Sequence, residues 1–148
     1  MVDFCRRYGL YAAWLISVVA VGGSLFFSEV RMFVPCNLCW WQRIIMYPLL
    51  PILGIASWLE DHNVVRYVLP LSWAGFLVST YHYLGQKIDG FLPPAVCRGG
   101  VPCTAEYINW LGFITIPFLA GVAFLLISVI LSVKAVGDRN ARLTRRAA

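Results

Sequence analysis

The sequence predicts an all-α membrane protein built as a four-transmembrane-helix bundle, and three observations carry that prediction. First, 60% of the 148 residues are hydrophobic and only 13% are charged, with a mean hydropathy of +0.74. An ordinary soluble domain carries about 25% charged residues. With half that number the chain cannot cover itself in polar surface, so the remainder must face lipid. Second, the charges cluster and leave four long gaps: 21 residues between Arg7 and Glu29, 16 between Arg43 and Glu60, 20 between Arg66 and Lys87, and 27 between Glu106 and Lys134. A spanning helix needs about 20 mostly apolar residues. Third, the basic residues fall unequally on the two sides that these gaps define.

Helix one is expected over residues 10–27. Arg6 and Arg7 before an apolar run also fit a cleaved signal peptide, but the run is too long for one and no Ala-x-Ala site follows. Gly22 and Gly23 in this helix permit close backbone approach. Helix two is expected over 40–59, which places Arg43 near one interface, where a long side chain can snorkel. Helix three follows over 64–83, after a short loop at 60–63, and helix four over 111–133. Pro48, Pro51 and Pro117 then lie within helices, where neighbouring helices can satisfy the freed carbonyls. Trp40, Trp41, Trp58, Trp73, Tyr81, Tyr83, Tyr107 and Trp110 fall mostly near predicted ends, as interfacial anchors do. No repeat or second domain interrupts the chain, so residues 1–148 form one integral-membrane domain.

Eight basic residues lie on one side: Arg6, Arg7, Arg66, Lys134, Arg139, Arg142, Arg145 and Arg146. The other side holds Arg31, Lys87 and Arg98, with Arg43 at its margin. By the positive-inside rule both termini are cytoplasmic, and loops 28–39 and 84–110 are external. The net charge of +5 is therefore a matter of topology and of anchoring at anionic lipid. Nucleic-acid binding is excluded by the lack of a polar scaffold to carry it.

Four of the five cysteines fall in the external loops, on the side where disulfides persist; Cys5 is cytoplasmic and reads as a spectator thiol, lipidation being the other option. Cys36-Asn37-Leu38-Cys39 abuts helix two. At a helix N-terminus the positive end of the dipole stabilises a thiolate, and two intervening residues hold the sulfurs close enough to open and close a disulfide. Arg43 is one turn beyond Cys39 on the same face; it is positioned to stabilise that thiolate or an anionic redox partner, or simply to snorkel. Cys97 and Cys103 enclose Arg98-Gly99-Gly100-Val101-Pro102, whose glycines let the chain turn back into a bridge. With Pro93 and Pro94 beside it and little to bury it, that bridge is expected to be exposed and labile. A static staple is the alternative. A Cys₄ zinc site is disfavoured because the second spacing is five and the face is oxidising, so no metal is expected.

Two disulfides in series need a terminal acceptor. The chain has no Gly-x-Gly-x-x-Gly for a flavin or nicotinamide and no Cys-x-x-Cys-His for haem. A lipid-soluble carrier reached at the membrane edge, beside Cys39 and Arg43, fits, and quinone answers that description. His82, on the same side, is a candidate to line or protonate the acceptor pocket, or an interfacial anchor.

The run Pro35-Cys36-Asn37-Leu38-Cys39-Trp40-Trp41-Gln42-Arg43 resembles the signature of the disulfide bond formation protein B (DsbB) family. Val101-Pro102-Cys103, then Trp110-Leu111-Gly112 and Pro117, resembles that family's entry into helix four. The short Cys97–Cys103 spacing looks most like the BdbC branch of Gram-positive bacteria. The resemblance implies a four-helix bundle in the bacterial cell membrane that reoxidises an extracytoplasmic DsbA- or BdbD-type thioredoxin-fold dithiol oxidase and reduces a quinone (menaquinone or ubiquinone). By motif, Cys97 would form the mixed disulfide with the partner and Cys103 would exchange with Cys36. Cys39 would face the quinone, with Arg43 beside it and His82 nearby; Cys36–Cys39 and Cys97–Cys103 would be the two disulfides. The second loop is much shorter than in the longer DsbB proteins and leaves little room for their membrane-surface helix. The vitamin K epoxide reductase family resembles this one as a quinone-linked four-helix bundle, but there the Cys-x-x-Cys follows the loop pair, whereas here it precedes it. A membrane scaffold with static disulfides is the non-catalytic alternative. A transporter or channel is disfavoured because no span carries a central acid or base.

Overall fold

The computed structural model describes residues 2–93, 96, 97 and 100–147, with side chains from residue 8 to residue 141 apart from residues 94, 95, 98 and 99. The expected roles of Cys5, Arg6, Arg7, Pro94, Arg98, Gly99, Arg142, Arg145 and Arg146 therefore rest on side chains outside the described residues. Four long helices dominate: α1 (Val2–Leu25), α2 (Asn37–Leu59), α3 (Val65–Lys87) and α4 (Ile116–Ala147). A π-helical turn, Phe26–Val30, prolongs α1, and a 3₁₀ turn, His62–Val64, leads into α3. Three stretches are long and apolar enough to cross a membrane: Tyr8–Val30, Asn37–Leu59 and Ile116–Ala141. The fourth helix, α3, has 23 residues, the length of α2. It is less apolar, carrying Ser72, Ser79 and His82 on its buried side, and it packs against α4 and α2. The chain is thus a multi-pass, all-α membrane protein.

Every helix departs from its expected bounds at one end or both. Helix α2 begins at Asn37, not at residue 40, because Cys36 itself is the N-cap and its sulfur accepts the Cys39 N–H at 3.4 Å. It ends where Glu60 turns left-handed at φ 51°. Helix α3 runs on to Lys87, which is held by Glu106 at 2.8 Å and by the Gly112 carbonyl at 3.1 Å. Helix α4 begins at Ile116 and not at 111, because Leu111 and Gly112 take φ of 56° and 80°. There Trp110 and Ile114 exchange backbone hydrogen bonds across a tight turn. Pro117 consequently lies in the first turn of α4 rather than inside it, where its missing N–H costs nothing.

The core is formed by Leu49, Leu53, Val68, Phe124, Ile127 and Leu131, all essentially inaccessible. Ser72 joins α3 to α4, donating to the Phe124 carbonyl at 2.9 Å and accepting from Ser128 at 3.0 Å. In a low-dielectric interior such fully paired hydroxyls are stable, whereas unpaired ones are costly. Close approach occurs at Gly75, where a β-carbon would lie 2.4 Å from the Phe124 ring. At Gly22 and Gly23 it would meet nothing within 4 Å. The expectation of close packing at that pair is therefore not met: Gly23 borders an open cleft.

Candidate functional site

The N-terminus of α2 brings Cys36, Cys39, Cys97 and Cys103 into two adjoining pairs. Cys36 and Cys39 are free thiols with sulfurs 3.1 Å apart. Cys97 and Cys103 are disulfide-bonded, with Cα atoms 5.9 Å apart; Gly100 takes the left-handed φ of 84° that the return of the chain requires. Contrary to expectation this bridge is not exposed. Cys103 is 2% accessible and Cys36 5%, and they share one apolar cluster with Leu38, flanked by Cys39, Cys97, Tyr81, Leu92 and Val96. The reason is that the second loop is pinned down at both ends. Asn37 donates to the Val96 carbonyl at 3.2 Å, Gln86 to the Ala105 carbonyl at 3.2 Å, and Lys87 pairs with Glu106.

His82 sits at the junction of the two pairs and is 1% accessible. Its Nε2 lies 3.1 Å from the Cys103 carbonyl oxygen and 3.6 Å from Cys36 Sγ. Its Nδ1 lies 2.9 Å from the Gln42 side-chain amide. A carbonyl can only accept, so the ring proton belongs on Nε2, and Nδ1 then accepts from the Gln42 NH₂. Gln42 was assigned no role from the sequence. Its signal was nevertheless present: a polar side chain three residues after Cys39 in an apolar helix, on the same face.

The Cys36 thiol is held well below the ordinary thiol range, to about 4. The hydrogen bond from the Cys39 thiol contributes most and outweighs burial, which acts the other way. The bond to His82 and the Cys39 N–H lower it further. Cys36 is therefore the thiolate of the pair.

A cleft of about 520 Å³ opens beside this cluster between α1, α2 and α4. Its walls are apolar, including Val19, Phe27, Met46 and Leu119. Cys39, Gln42 and Arg43 form a polar group on the α2 wall. Cys36, Cys103 and His82 are absent from the lining, so only one of the four cysteines reaches it. His82 is thus placed one layer behind the cleft, against Cys36, and not in its wall. Arg43 donates to the Ser24 carbonyl at 3.2 Å and to the Ser28 hydroxyl, and its guanidinium lies 5.6 Å from the Trp40 ring centroid. These bonds tie α2 to α1 and to the π-helical turn, so the side chain is held at the cleft and not free to snorkel. Phe33 stacks on Tyr107 at 4.7 Å, and Tyr107 donates to the Val34 carbonyl at 3.0 Å, which joins the α1–α2 and α3–α4 connections over one end of the cleft.

Comparison with known proteins agrees with this geometry. No solved structure matches the chain. It is 56% identical over 120 residues to disulfide bond formation protein C of Bacillus subtilis, covering 81% of this chain and 87% of that protein. It is 50% identical over 124 residues to a probable disulfide formation protein C 1 of Bacillus cereus, covering 84% and 89%. It is 48% identical over 128 residues to a probable disulfide formation protein of Coxiella burnetii, covering 85% and 86%. The family model described as disulfide bond formation protein DsbB matches residues 6–134, and the chain belongs to that family.

Proposed function

We propose that this protein is a thiol-disulfide oxidoreductase that draws electrons from an extracytoplasmic thioredoxin-fold dithiol oxidase and delivers them to a membrane quinone. The reading places the whole chain, residues 1–148, in one domain of the bacterial cell membrane with both cysteine loops outside. The observation that carries it is the asymmetry of the pairs: Cys36 and Cys103 meet in one buried cluster, and Cys39 alone opens into the apolar cleft.

The steps balance as thiol-disulfide exchanges. A thiolate of the reduced partner attacks Cys97 and releases Cys103 as a thiolate; the partner's second thiol then closes its own disulfide and frees Cys97. With Cys36–Cys39 oxidised, Cys103 attacks Cys36 and releases Cys39. Cys97 next attacks Cys103, restoring Cys97–Cys103 and leaving Cys36 as a thiolate. The net change is one partner dithiol oxidised and one Cys36–Cys39 disulfide reduced.

A quinone held in the cleft would accept the two electrons released when Cys36–Cys39 recloses, together with the one proton that a thiolate and a thiol give up and a second proton from solvent. The residues present fit such a ligand. The walls are apolar, the cleft is within the size range of small-molecule pockets, and Arg43 and Gln42 offer donors to a carbonyl oxygen. Arg43, fixed by Ser24 and Ser28, orients the ligand beside Cys39. His82, held by Gln42, stabilises the Cys36 thiolate and keeps the Cys103 backbone against it.

The test is purified protein in lipid vesicles with the reduced partner and defined quinones, following quinol formation. Cys36→Ala or Cys39→Ala is expected to abolish it. Retained turnover in either variant would overturn the electron path.

A further inference from the structure

We propose that the reduced Cys36–Cys39 pair and His82 form a binding site for a thiophilic divalent cation of the zinc class, filled only in the dithiol state. This differs from the Cys₄ arrangement weighed from the sequence: it uses one cysteine pair and a histidine from another helix. Cys36 Sγ, Cys39 Sγ and a ring nitrogen of His82 all lie within 4.8 Å of one another. With Zn–S near 2.3 Å and Zn–N near 2.0–2.1 Å, tetrahedral ligands stand about 3.8 Å apart for two sulfurs and about 3.6 Å for sulfur and nitrogen. The Cys36 to His82 separation is already 3.6 Å. The sulfurs, at 3.1 Å, need to part by about 0.7 Å to reach that spacing, which a side-chain rotation of half-buried Cys39 supplies.

Charge favours the same occupant. Two thiolates and a neutral imidazole cancel a divalent cation, so the buried complex carries no net charge, and binding releases the thiol proton. Access exists through Cys39, which lines the cleft; a fourth position can be taken by water from that side. His82 also has the outer partner that metal-bound histidines use. An amide presents either a donor or an acceptor, so a half-turn of Gln42 lets it accept from Nδ1–H and free Nε2 for the metal. With the ring proton on Nδ1, Nε2 no longer donates to the Cys103 carbonyl. Metal occupancy therefore blocks both the sulfurs and the contact between the two pairs.

Binding does not depend on the proposed electron path; inhibition of turnover does. The reduced protein in detergent is titrated anaerobically with cobalt(II), then zinc(II), following thiolate-to-cobalt charge-transfer absorption. The expected result is one band saturating at one equivalent, absent from the oxidised protein, bleached by zinc and weakened at least tenfold in His82→Gln. X-ray absorption at the zinc edge of the loaded wild type reads the ligands without any variant, with two sulfurs and nitrogen or oxygen expected. Four sulfurs, one sulfur, no stoichiometric band, or a band unchanged in folded His82→Gln would overturn the site. In vesicles, zinc is expected to stop quinol formation reversibly with chelator. If zinc binds with two sulfurs while no quinone is ever reduced, the electron path fails and the metal site stands.

Discussion

Cys36 and Cys39 are three residues apart on one helix, yet their surroundings assign them opposite tasks. Cys36 collects the Cys39 N–H, the Cys39 thiol and the His82 ring, and each favours its thiolate. Because its pKa is depressed, the charged form persists as pH falls and is lost only on approach to about 4. Alkylation of Cys36 in the reduced protein, followed by mass spectrometry, is therefore expected to stay nearly constant from pH 8 to pH 5. An ordinary thiol with a pKa near 8.5 would slow by about tenfold for each unit below that value. Loss of the Cys39 thiol is expected to move the profile to higher pH, and His82→Phe to move it less, following the order of their contributions. The four cysteines and Arg43 were legible as a site because their residue types and spacing are unusual in an apolar chain. For Gln42 the local sign, a polar residue on the Cys39 face, was there, but its partner was not, since no local pattern records which histidine a glutamine meets across the bundle.

At the scale of elements, helices announce themselves by charge-free length, whereas their ends are decided by caps and turns. The α2 start was nearly readable because a Cys-x-x-Cys with its first sulfur as N-cap leaves a signature. The α4 start was not, because Leu111 is an apolar residue held left-handed by the Trp110–Ile114 turn. Burial of the second loop was equally hidden: it rests on Asn37, Gln86 and Lys87, polar residues from other elements whose spacing carries no sign of their partners. The cleft depends on α1, and Gly23 is the position that keeps it wide. A side chain there meets no atom within 4 Å of its β-carbon, so Gly23→Phe is expected to fold normally and project into the cleft. Its expected effect is a rise in quinone KM of about tenfold, equivalent to about 1.4 kcal/mol, with exchange between partner and Cys97–Cys103 unchanged. Quinone titration and a single-turnover assay with the partner separate the two.

At the scale of the whole molecule, the sequence foresaw a helical bundle in the membrane, and charge asymmetry gives it a direction. That asymmetry predicts cytoplasmic termini, so a cysteine introduced near residue 61 or at the C-terminus of a variant lacking Cys5 is expected to resist a membrane-impermeant maleimide in intact cells. One placed at Asp89 is expected to react. Labelling of the C-terminus from outside would reverse the orientation. The three clearly apolar spans, Tyr8–Val30, Asn37–Leu59 and Ile116–Ala141, leave α3 as the polar member of the bundle, and it is α3 that carries His82 to the cysteines.

The burial of Cys36 and Cys103 has a consequence for leakage. Any dithiol relay bathed by small aqueous thiols risks a short circuit, because a stray reductant can discharge an exposed disulfide at no benefit. Here the inner sulfurs are sheathed by Leu38, Leu92 and Val96. Along the proposed path, electrons enter at the half-buried Cys97 and leave at Cys39 toward lipid. The conductor is insulated along its length and bare only at its terminals.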